Sequence, residues 1–152
     1  MSLKYDIASV LSRETKSTID NWYVLVENEP SLKAIHLTRY QRCAHLQEMF
    51  DDLVHRLRHP LPLGSGALKS TSAHEHGRLR RDQGYTAAMM VEESRMLQVS
   101  IFQTLQVHME DTDSGVLLLH VMAIADEVDS QLAQAMTGYI SEANHDKSPE
   151  VP

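Results

Sequence analysis

The sequence predicts an all-α protein, a single domain with a bundle of about five helices. Apolar residues recur at three- and four-residue steps along most of the chain, and no stretch alternates with a period of two over the length of a strand. Aromatic residues make up 5% of the chain and Met is plentiful at eight residues, so Leu, Met, Ala and Val must fill the interior. This composition suits helix packing better than a β-sandwich. A globin-like arrangement is one form that such a bundle can take.

The first part of the chain contains two predicted helices. Residues 3–26 carry the spacing of one helix, with a bend near residues 13–17, where polar residues interrupt the apolar face. Pro30 ends this region, because the residue before a proline is disfavoured in helical geometry. Thr38 then caps a second helix that we expect to continue to about Arg58, with Tyr40 among the residues on its inner side.

Three further helices are predicted in the second part of the chain. Residues 59–66 contain two prolines and two glycines, which predicts an ordered loop. The third helix is expected over residues 67–83 and the fourth over residues 86–109. A turn at residues 111–114 leads into a long fifth helix, whose apolar residues surround it widely enough to predict burial on more than one side.

Length and composition limit the domain organisation and the classes of function. The 152 residues fit one domain, which we assign to residues 1–143, followed by a polar C-terminal tail at residues 144–152. A formal net charge of −7 argues against a nucleic-acid binder. Cys43 is the sole cysteine, so no intrachain disulfide can form and we expect a cytoplasmic location. No apolar run approaches the ~18 residues that cross a bilayer, so membrane insertion is not expected.

A polar stripe runs along the predicted third helix into a glycine corner. His76, Arg80 and Gln83 fall at i, i+4 and i+7, so their side chains point the same way from one helix. Gly84 follows at the position where a helix usually ends in a left-handed residue, a conformation that glycine adopts cheaply. We therefore assign Gly84 as a structural hinge between two helices that form an antiparallel hairpin.

The fourth helix places a carboxylate opposite this stripe. Arg80 lies four residues before the corner and Glu93 nine residues after it, a difference of roughly one helical turn that a long side chain can partly span. We expect Arg80 to pair with Glu93, or with an anionic ligand or partner group. His76, Gln83 and Tyr85 complete the predicted polar site. Such a site either fixes the hairpin or serves a ligand or partner.

The same stretch carries a family resemblance. It rests on the run His76-Gly77-x-x-Arg80-x-x-Gln83-Gly84-Tyr85, followed by Val91, Glu93, Leu97 and Ile101. This pattern resembles the RsbRD-type N-terminal domain, which precedes output modules in stressosome RsbT co-antagonists and in sensor histidine kinases. Ser94 and Gln98 depart from the family, which often has an aromatic residue and an arginine at these positions.

The resemblance implies a non-catalytic signal-input or regulatory interaction domain. Such a domain passes a conformational signal to a kinase or STAS output module, in the same chain or in a separate one. The predicted fifth helix is the candidate transmitter, because it ends the domain and leads into whatever follows. Its wide apolar surface also predicts a homodimer.

Two other kinds of sensor stay open. One binds haem or another small hydrophobic molecule in a pocket lined by Trp22, Met89, Met90 and Phe102. His108 and His120 have the spacing of haem ligands, although no Cys-x-x-Cys-His attachment motif occurs. The other is a phosphotransfer bundle, for which the pair His74-Glu75 on the third helix is the candidate.

Neither a metal site nor a catalytic site is expected. His74 and His76 are two residues apart on a helix, so their imidazoles point about 200° away from each other and cannot share an ion. Cys43 and His45 diverge for the same reason and do not form a nucleophile–base pair. No cofactor and no enzymatic activity are therefore predicted.

Overall fold

The computed structural model describes residues 6–65, 70–109 and 113–146, except for the side chain of Asp146. Helical segments account for most of these residues, and no strand occurs among them, so the predicted all-α class is confirmed. The described residues form eight helical segments: α1 (Ile7–Arg13), α2 (Thr15–Glu27), α3 (Pro30–Lys33), α4 (Arg39–Arg42), α5 (Leu46–Arg58), α6 (Thr71–Asp82), α7 (Ala87–His108) and α8 (Ser114–Asp146). The number exceeds the predicted five because the first two predicted helices are each divided and α3 lies between them.

The bend expected in the first helix is present and separates α1 from α2 at Glu14. The Thr15 hydroxyl donates to the carbonyl of Leu11 at 2.8 Å, and the Thr18 hydroxyl donates to that of Glu14, also at 2.8 Å. Hydroxyl groups bonded one turn back in this way bend helices. The bend lets α1 pack on α5 and α7 while α2 lies along α7.

The prediction of one continuous second helix is wrong. Thr38 caps it as expected, in a capping box with Gln41, but the helix stops at Arg42 and resumes at Leu46. The chain leaves helical geometry here without proline or glycine, and Tyr40 points into solvent rather than inward. The Arg42 carbonyl accepts a hydrogen bond from the Arg80 guanidinium at 2.5 Å, which satisfies an acceptor freed at the end of α4.

The glycine corner between α6 and α7 forms as predicted. Gly84 has a φ of 94°, in the left-handed region, and directly follows the C-cap residue Gln83. The Tyr85 amide donates to the Arg80 carbonyl at 3.0 Å and the Gly84 amide to that of Arg81 at 3.1 Å, which is the Schellman pattern of a helix end. Ser70 caps α6, so the predicted third helix starts later than expected, and residues 66–69 lie outside the described residues.

The last helix is the longest element and packs across α6. Its 33 residues give a length of about 50 Å. It continues through Asp146, past the predicted domain boundary at residue 143, so the start of the predicted tail is helical. Residues 110–112, with most of the predicted turn, and residues 147–152 lie outside the described residues. None of the described helices combines the length and the apolar character needed to cross a bilayer.

Glycines set the close contact between α6 and α8. A Cβ atom placed on Gly77 of α6 would lie 1.7 Å from the carbonyl oxygen of Ala135 in α8. A Cβ atom on Gly138 of α8 would lie 2.1 Å from the carbonyl oxygen of His74 in α6. Any side chain at either position would force the two backbones apart, so these glycines fix the position of α8 against the helix that carries the polar stripe.

Candidate functional site

The residues of the polar stripe meet the predicted carboxylate in a buried group that we name the Glu93 cluster: Arg42, His76, Arg80, Tyr85 and Glu93. Each of these side chains is buried, and Arg80 is 0% exposed. Glu93 accepts three hydrogen bonds: on Oε1 from His76 Nε2 at 2.8 Å and from Arg80 Nε at 3.1 Å, and on Oε2 from the Tyr85 hydroxyl at 2.6 Å. The predicted pairing of Arg80 with Glu93 is thus confirmed.

Every nitrogen of the Arg80 guanidinium donates within the protein. Besides the bond to Glu93, it donates to Gln83 Oε1 at 2.7 Å and to the backbone carbonyls of Arg42 and Gln41 at 2.5 and 3.4 Å. It also lies 4.8 Å from the centroid of the Tyr85 ring. The five predicted site residues therefore meet around one guanidinium. Because this group is enclosed by protein acceptors, the geometry favours the internal pairing over the anionic-ligand alternative.

Arg42 is the member of the cluster that sequence reasoning missed. It comes from α4, and its Nη1 donates to the Tyr85 hydroxyl at 2.5 Å. Its Nη2 donates to the carbonyls of Ile35 at 2.8 Å and Leu32 at 3.3 Å. These hydrogen bonds join α4 to the end of α3 and to the corner residue Tyr85, while Glu27 lies 3.9 Å away. Recognising the break in the second predicted helix could have identified Arg42 as a site residue. A short capped helix that ends at Arg42 directs this side chain differently from a continuous helix.

Hydrogen bonds and charge determine the ionisation of the cluster. Burial raises the pKa of the Glu93 carboxyl, but attraction to Arg80 and hydrogen bonds from His76 and Tyr85 outweigh burial and lower that pKa to about 2. Burial, reinforced by the Arg80 charge, lowers the pKa of His76 despite its hydrogen bond to Glu93. Burial and the neighbouring Glu93 charge raise the pKa of Tyr85. At neutral pH the cluster therefore holds an ionised Glu93, a neutral His76 that donates from Nε2, and a neutral tyrosine.

Two further hydrogen bonds tie the cluster to other helices. The Trp22 indole in α2 donates to the backbone carbonyl of Glu93 at 3.1 Å. The hydroxyl of Tyr139 in α8 donates to the backbone carbonyl of Tyr85 at 2.7 Å and accepts from Arg81 Nη1 at 3.0 Å. Tyr139 therefore connects the corner directly to α8.

A small cavity of about 20 Å³ adjoins the cluster, where α2, α5, α6, α7 and α8 converge. Of the four residues predicted to line a pocket, Trp22 and Met90 line this cavity, whereas Met89 and Phe102 do not. The volume suits one water molecule, which His76, Glu93, Ser94 and Gln131 could hydrogen-bond. Haem or an organic ligand would require the helices to separate. His108 and His120, the predicted haem candidates, do not line the cavity.

The other histidines considered from the sequence lie outside the cluster. His74 is partly exposed on α6, with Nδ1 3.8 Å from the Glu75 carboxylate, so it stays the candidate for a phosphotransfer role. His108 lies near the end of α7, 3.8 Å from Glu14. Over residues 6–65, 70–109 and 113–146, no three His, Cys, Asp or Glu side chains are grouped so that they could hold a metal ion.

Comparison with known proteins adds no relative. No protein-family model matches the chain, and searches of curated proteins and of solved structures found no match. The class that the fold and the site define is therefore an all-α bundle with a buried, hydrogen-bonded carboxylate at a helix corner. The resemblance to the RsbRD-type N-terminal domain stays a prediction that rests on the residues from His76 to Ile101.

The Glu93 cluster predicts a loss of stability in acid. Because the pKa of Glu93 is lower in the folded state than the ordinary 4.5, its contribution is fully present above pH 4.5 and is lost as the pH falls through about 2. The expected loss in the free energy of unfolding is about 3 kcal/mol. Urea unfolding followed by fluorescence of Trp22, the single tryptophan, measures it, since this indole bonds to Glu93 itself.

A matched pair of variants isolates this effect from the other carboxylates. Glu93→Gln should remove most of the additional acid dependence, whereas Glu92→Gln, which removes a carboxylate paired with Arg95 on the surface, should keep it. Equal acid responses in the wild type and in Glu93→Gln would show that folding does not lower the pKa of Glu93.

Proposed function

We propose that this chain is a non-catalytic signal-input domain that passes a conformational signal through α8 to a kinase or STAS output module, in the same chain or in a separate one. The observation that carries the proposal is the connection from the Glu93 cluster through the Tyr85 carbonyl to Tyr139 of α8. The resemblance of the His76–Ile101 stretch to the RsbRD-type N-terminal domain points to the same role. A cytoplasmic location is part of this proposal.

The arrangement of the cluster supports relaying rather than reacting. Glu93 is buried and its carboxylate is held by three protein donors, so it has no face open to a substrate. Most polar atoms of the cluster have hydrogen-bond partners, although Arg42 Nε has none among the described residues. Breaking the remaining bonds would leave buried charges without partners, so the network has few intermediate arrangements. Changes at the corner therefore tend to be all-or-none. The glycine contact between α6 and α8 transfers such a change to α8.

Binding to candidate output proteins tests this role. The purified chain is immobilised, and the STAS-domain and histidine-kinase proteins of the same genome are passed over it in biolayer interferometry. We expect at least one to bind, and Tyr139→Phe to change its Kd at least about threefold, as removal of a hydrogen bond worth about 1 kcal/mol predicts. Tyr23→Phe, at a tyrosine that contacts Arg39 through its ring, is the control and should leave the Kd unchanged. Absence of binding to every such protein would contradict the proposal, as would turnover of a substrate by the chain.

A homodimer is the second part of the proposal, and the first turns of α8 are the candidate interface. From Ser114 to Ala125 the helix contains no Asp, Glu, Lys or Arg, and Leu118 and Leu119 are 59% and 62% exposed. Val116 and Met122 are exposed beside them. A helix that is apolar on all sides is normally covered, and two copies of this segment would meet without like-charge repulsion.

Sedimentation equilibrium at micromolar concentration tests the dimer. We expect twice the chain mass of 17.2 kDa for the wild type and the monomer mass for a Leu118→Glu, Leu119→Glu double variant. Val107→Glu places a charge on a comparably exposed apolar residue of α7 and should leave the dimer intact. A wild type that sediments as a monomer at every concentration would remove this part of the proposal.

A further inference from the structure

Helix α8 carries a second buried carboxyl group, and its surroundings differ from those of Glu93. Glu127 is 1% exposed, and its closest charged partner is Arg56 of α5, which is 5% exposed. Two more carboxylates face it: Asp52 of α5 and Asp126 of α8. Gln131 lies one turn further along α8. We name these five residues the Glu127 cluster.

Glu127 receives far less hydrogen bonding than Glu93. Arg56 Nε lies 3.7 Å from Glu127 Oε2, beyond hydrogen-bond distance, because the guanidinium donates through Nη2 to Asp126 Oδ2 at 3.2 Å. Its Nη1 is buried with no hydrogen-bond partner among the described residues. Among the described residues, the remaining donor to Glu127 is Gln131 Nε2 at 3.4 Å, which also donates to the carbonyl of Met49 at 2.9 Å. The buried carboxyl is thus poorly compensated when it is ionised.

An under-compensated carboxyl in this position favours its protonated form. Burial, together with smaller contributions from the charges of Asp52 and Asp126, raises the pKa of Glu127 to about 7. The attraction of Arg56 and the hydrogen bond from Gln131 oppose this shift but do not outweigh it. Glu93 and Glu127 are both buried glutamates with opposite shifts. Glu93 has a closer arginine and more hydrogen-bond donors, whereas Glu127 has a more distant arginine and two neighbouring carboxylates. The proton of Glu127 is therefore exchanged in the neutral range, where Glu93 stays ionised.

The cluster also holds α8 against its neighbours. Arg56 and Met49 belong to α5, and Asp126 accepts a hydrogen bond from the Gly64 amide of the following loop at 3.1 Å. Asp52 accepts from the Ser70 hydroxyl, the cap of α6, at 2.5 Å. A change in the charge of Glu127 therefore acts where α8 meets α5 and the loop that joins α5 to α6.

We propose that Glu127 takes up a proton when α8 packs on α5 and releases it when this contact loosens, so that the docking of α8 responds to pH near neutrality. The direction follows from linkage. The pKa is higher in the folded state than the ordinary 4.5, so the stability associated with the proton is fully present below pH 4.5 and is lost as pH rises through about 7. The idea that this proton is an input signal rests on the proposed relay role of α8. The coupling between protonation of Glu127 and the packing of α8 on α5 does not.

Unfolding equilibria at about pH 6 and about pH 8 test the coupling. For a carboxyl that titrates near 7 when folded and near 4.5 when unfolded, the unfolding constant rises about tenfold more over this interval in the wild type than in Glu127→Gln. The comparison cancels every contribution to the pH dependence that the two proteins share. Glu142→Gln is the matched control, since it removes another buried α8 carboxyl, which accepts from Arg78 at 3.1 Å; it should keep the wild-type response.

Hydrogen exchange shows where the response occurs. After correction for the intrinsic dependence on pH, amides of α8 near Glu127 should exchange faster at about pH 8 than at about pH 6 in the wild type, and this difference should be smaller in Glu127→Gln. Asp126→Asn provides a second variant: it removes a charge that raises the pKa of Glu127 and keeps an oxygen for Gly64, so the response should move to lower pH.

The proposal is overturned if Glu127→Gln retains the wild-type pH response, or if Asp126→Asn leaves its midpoint unchanged. These measurements use the chain without any partner. They are therefore independent of the binding experiment that tests the signal-input role, and either proposal can fail without the other.

Discussion

Replacing Arg80 by alanine is expected to lower the free energy of unfolding by about 3–5 kcal/mol. The change removes the cation beside a carboxylate that is held ionised and buried, and it also removes the donor to the Arg42 carbonyl at the end of α4. Glu93 would keep its hydrogen bonds from His76 and Tyr85 but lose its charge partner. Urea unfolding followed by Trp22 fluorescence measures the loss.

An exposed arginine supplies the control for this substitution. Arg95 pairs with Glu92 on the surface of α7, and exposed pairs contribute about 1 kcal/mol or less, so Arg95→Ala should change stability by no more than that. If Arg80→Ala costs no more than Arg95→Ala, the buried pair does not hold the hairpin. A variant that stays folded yet loses its response to a partner would assign Arg80 a signalling role beyond its structural one.

Replacing Gly77 by alanine is expected to cost about 3 kcal/mol, at the upper end for inserting atoms into a well-packed contact. The new Cβ atom would meet the Ala135 backbone at 1.7 Å, and a backbone cannot rotate away as a side chain can. Helix α8 must then move off α6, which also strains the hydrogen bond from Tyr139 to Tyr85. Thermal unfolding followed by circular dichroism should show a fall in Tm of roughly 6–12 °C.

A second helical glycine provides the comparison. Gly115 lies at the start of α8, and a Cβ atom there meets the exposed Asp113 side chain at 3.2 Å, which can move away. Gly115→Ala should therefore shift stability by less than about 1 kcal/mol, with the better helix propensity of alanine partly offsetting the contact. Similar Tm values for the Gly77 and Gly115 variants would mean that α6 and α8 do not touch backbone to backbone.

The parts of the fold that local chemistry determines could be predicted from the sequence. The positions of His76, Arg80 and Gln83 on one helical face follow from spacing alone, and the Schellman turn follows from a glycine at Gly84. The pairing of Arg80 with Glu93 needed one further assumption, that the two helices fold back on each other about this glycine. The all-α class followed from periodicity along the whole chain.

What could not be predicted depends on contacts that leave no local pattern. The hydrogen bonds of Arg42 go to the carbonyls of Leu32 and Ile35 and to one tyrosine, and backbone acceptors have no sequence signature. The break after α4 also lacks a sequence signature, because the Arg42 carbonyl at the break accepts its hydrogen bond from the distant Arg80. Glu127 did leave a trace, since it falls on the stripe of Ile124, Val128 and Gln131 that faces the core. A carboxyl on an apolar stripe indicates a buried charge.

The hairpin, its link to α8 and the proposed relay role all depend on a Glu93 carboxyl that is buried, ionised and paired with Arg80. Titration of the Glu93 side-chain carboxyl carbon by NMR in the intact chain measures this state directly. We predict a pKa of about 2. A pKa near or above the ordinary 4.5 would show that Arg80 and the hydrogen bonds do not outweigh burial, and would contradict the central claim.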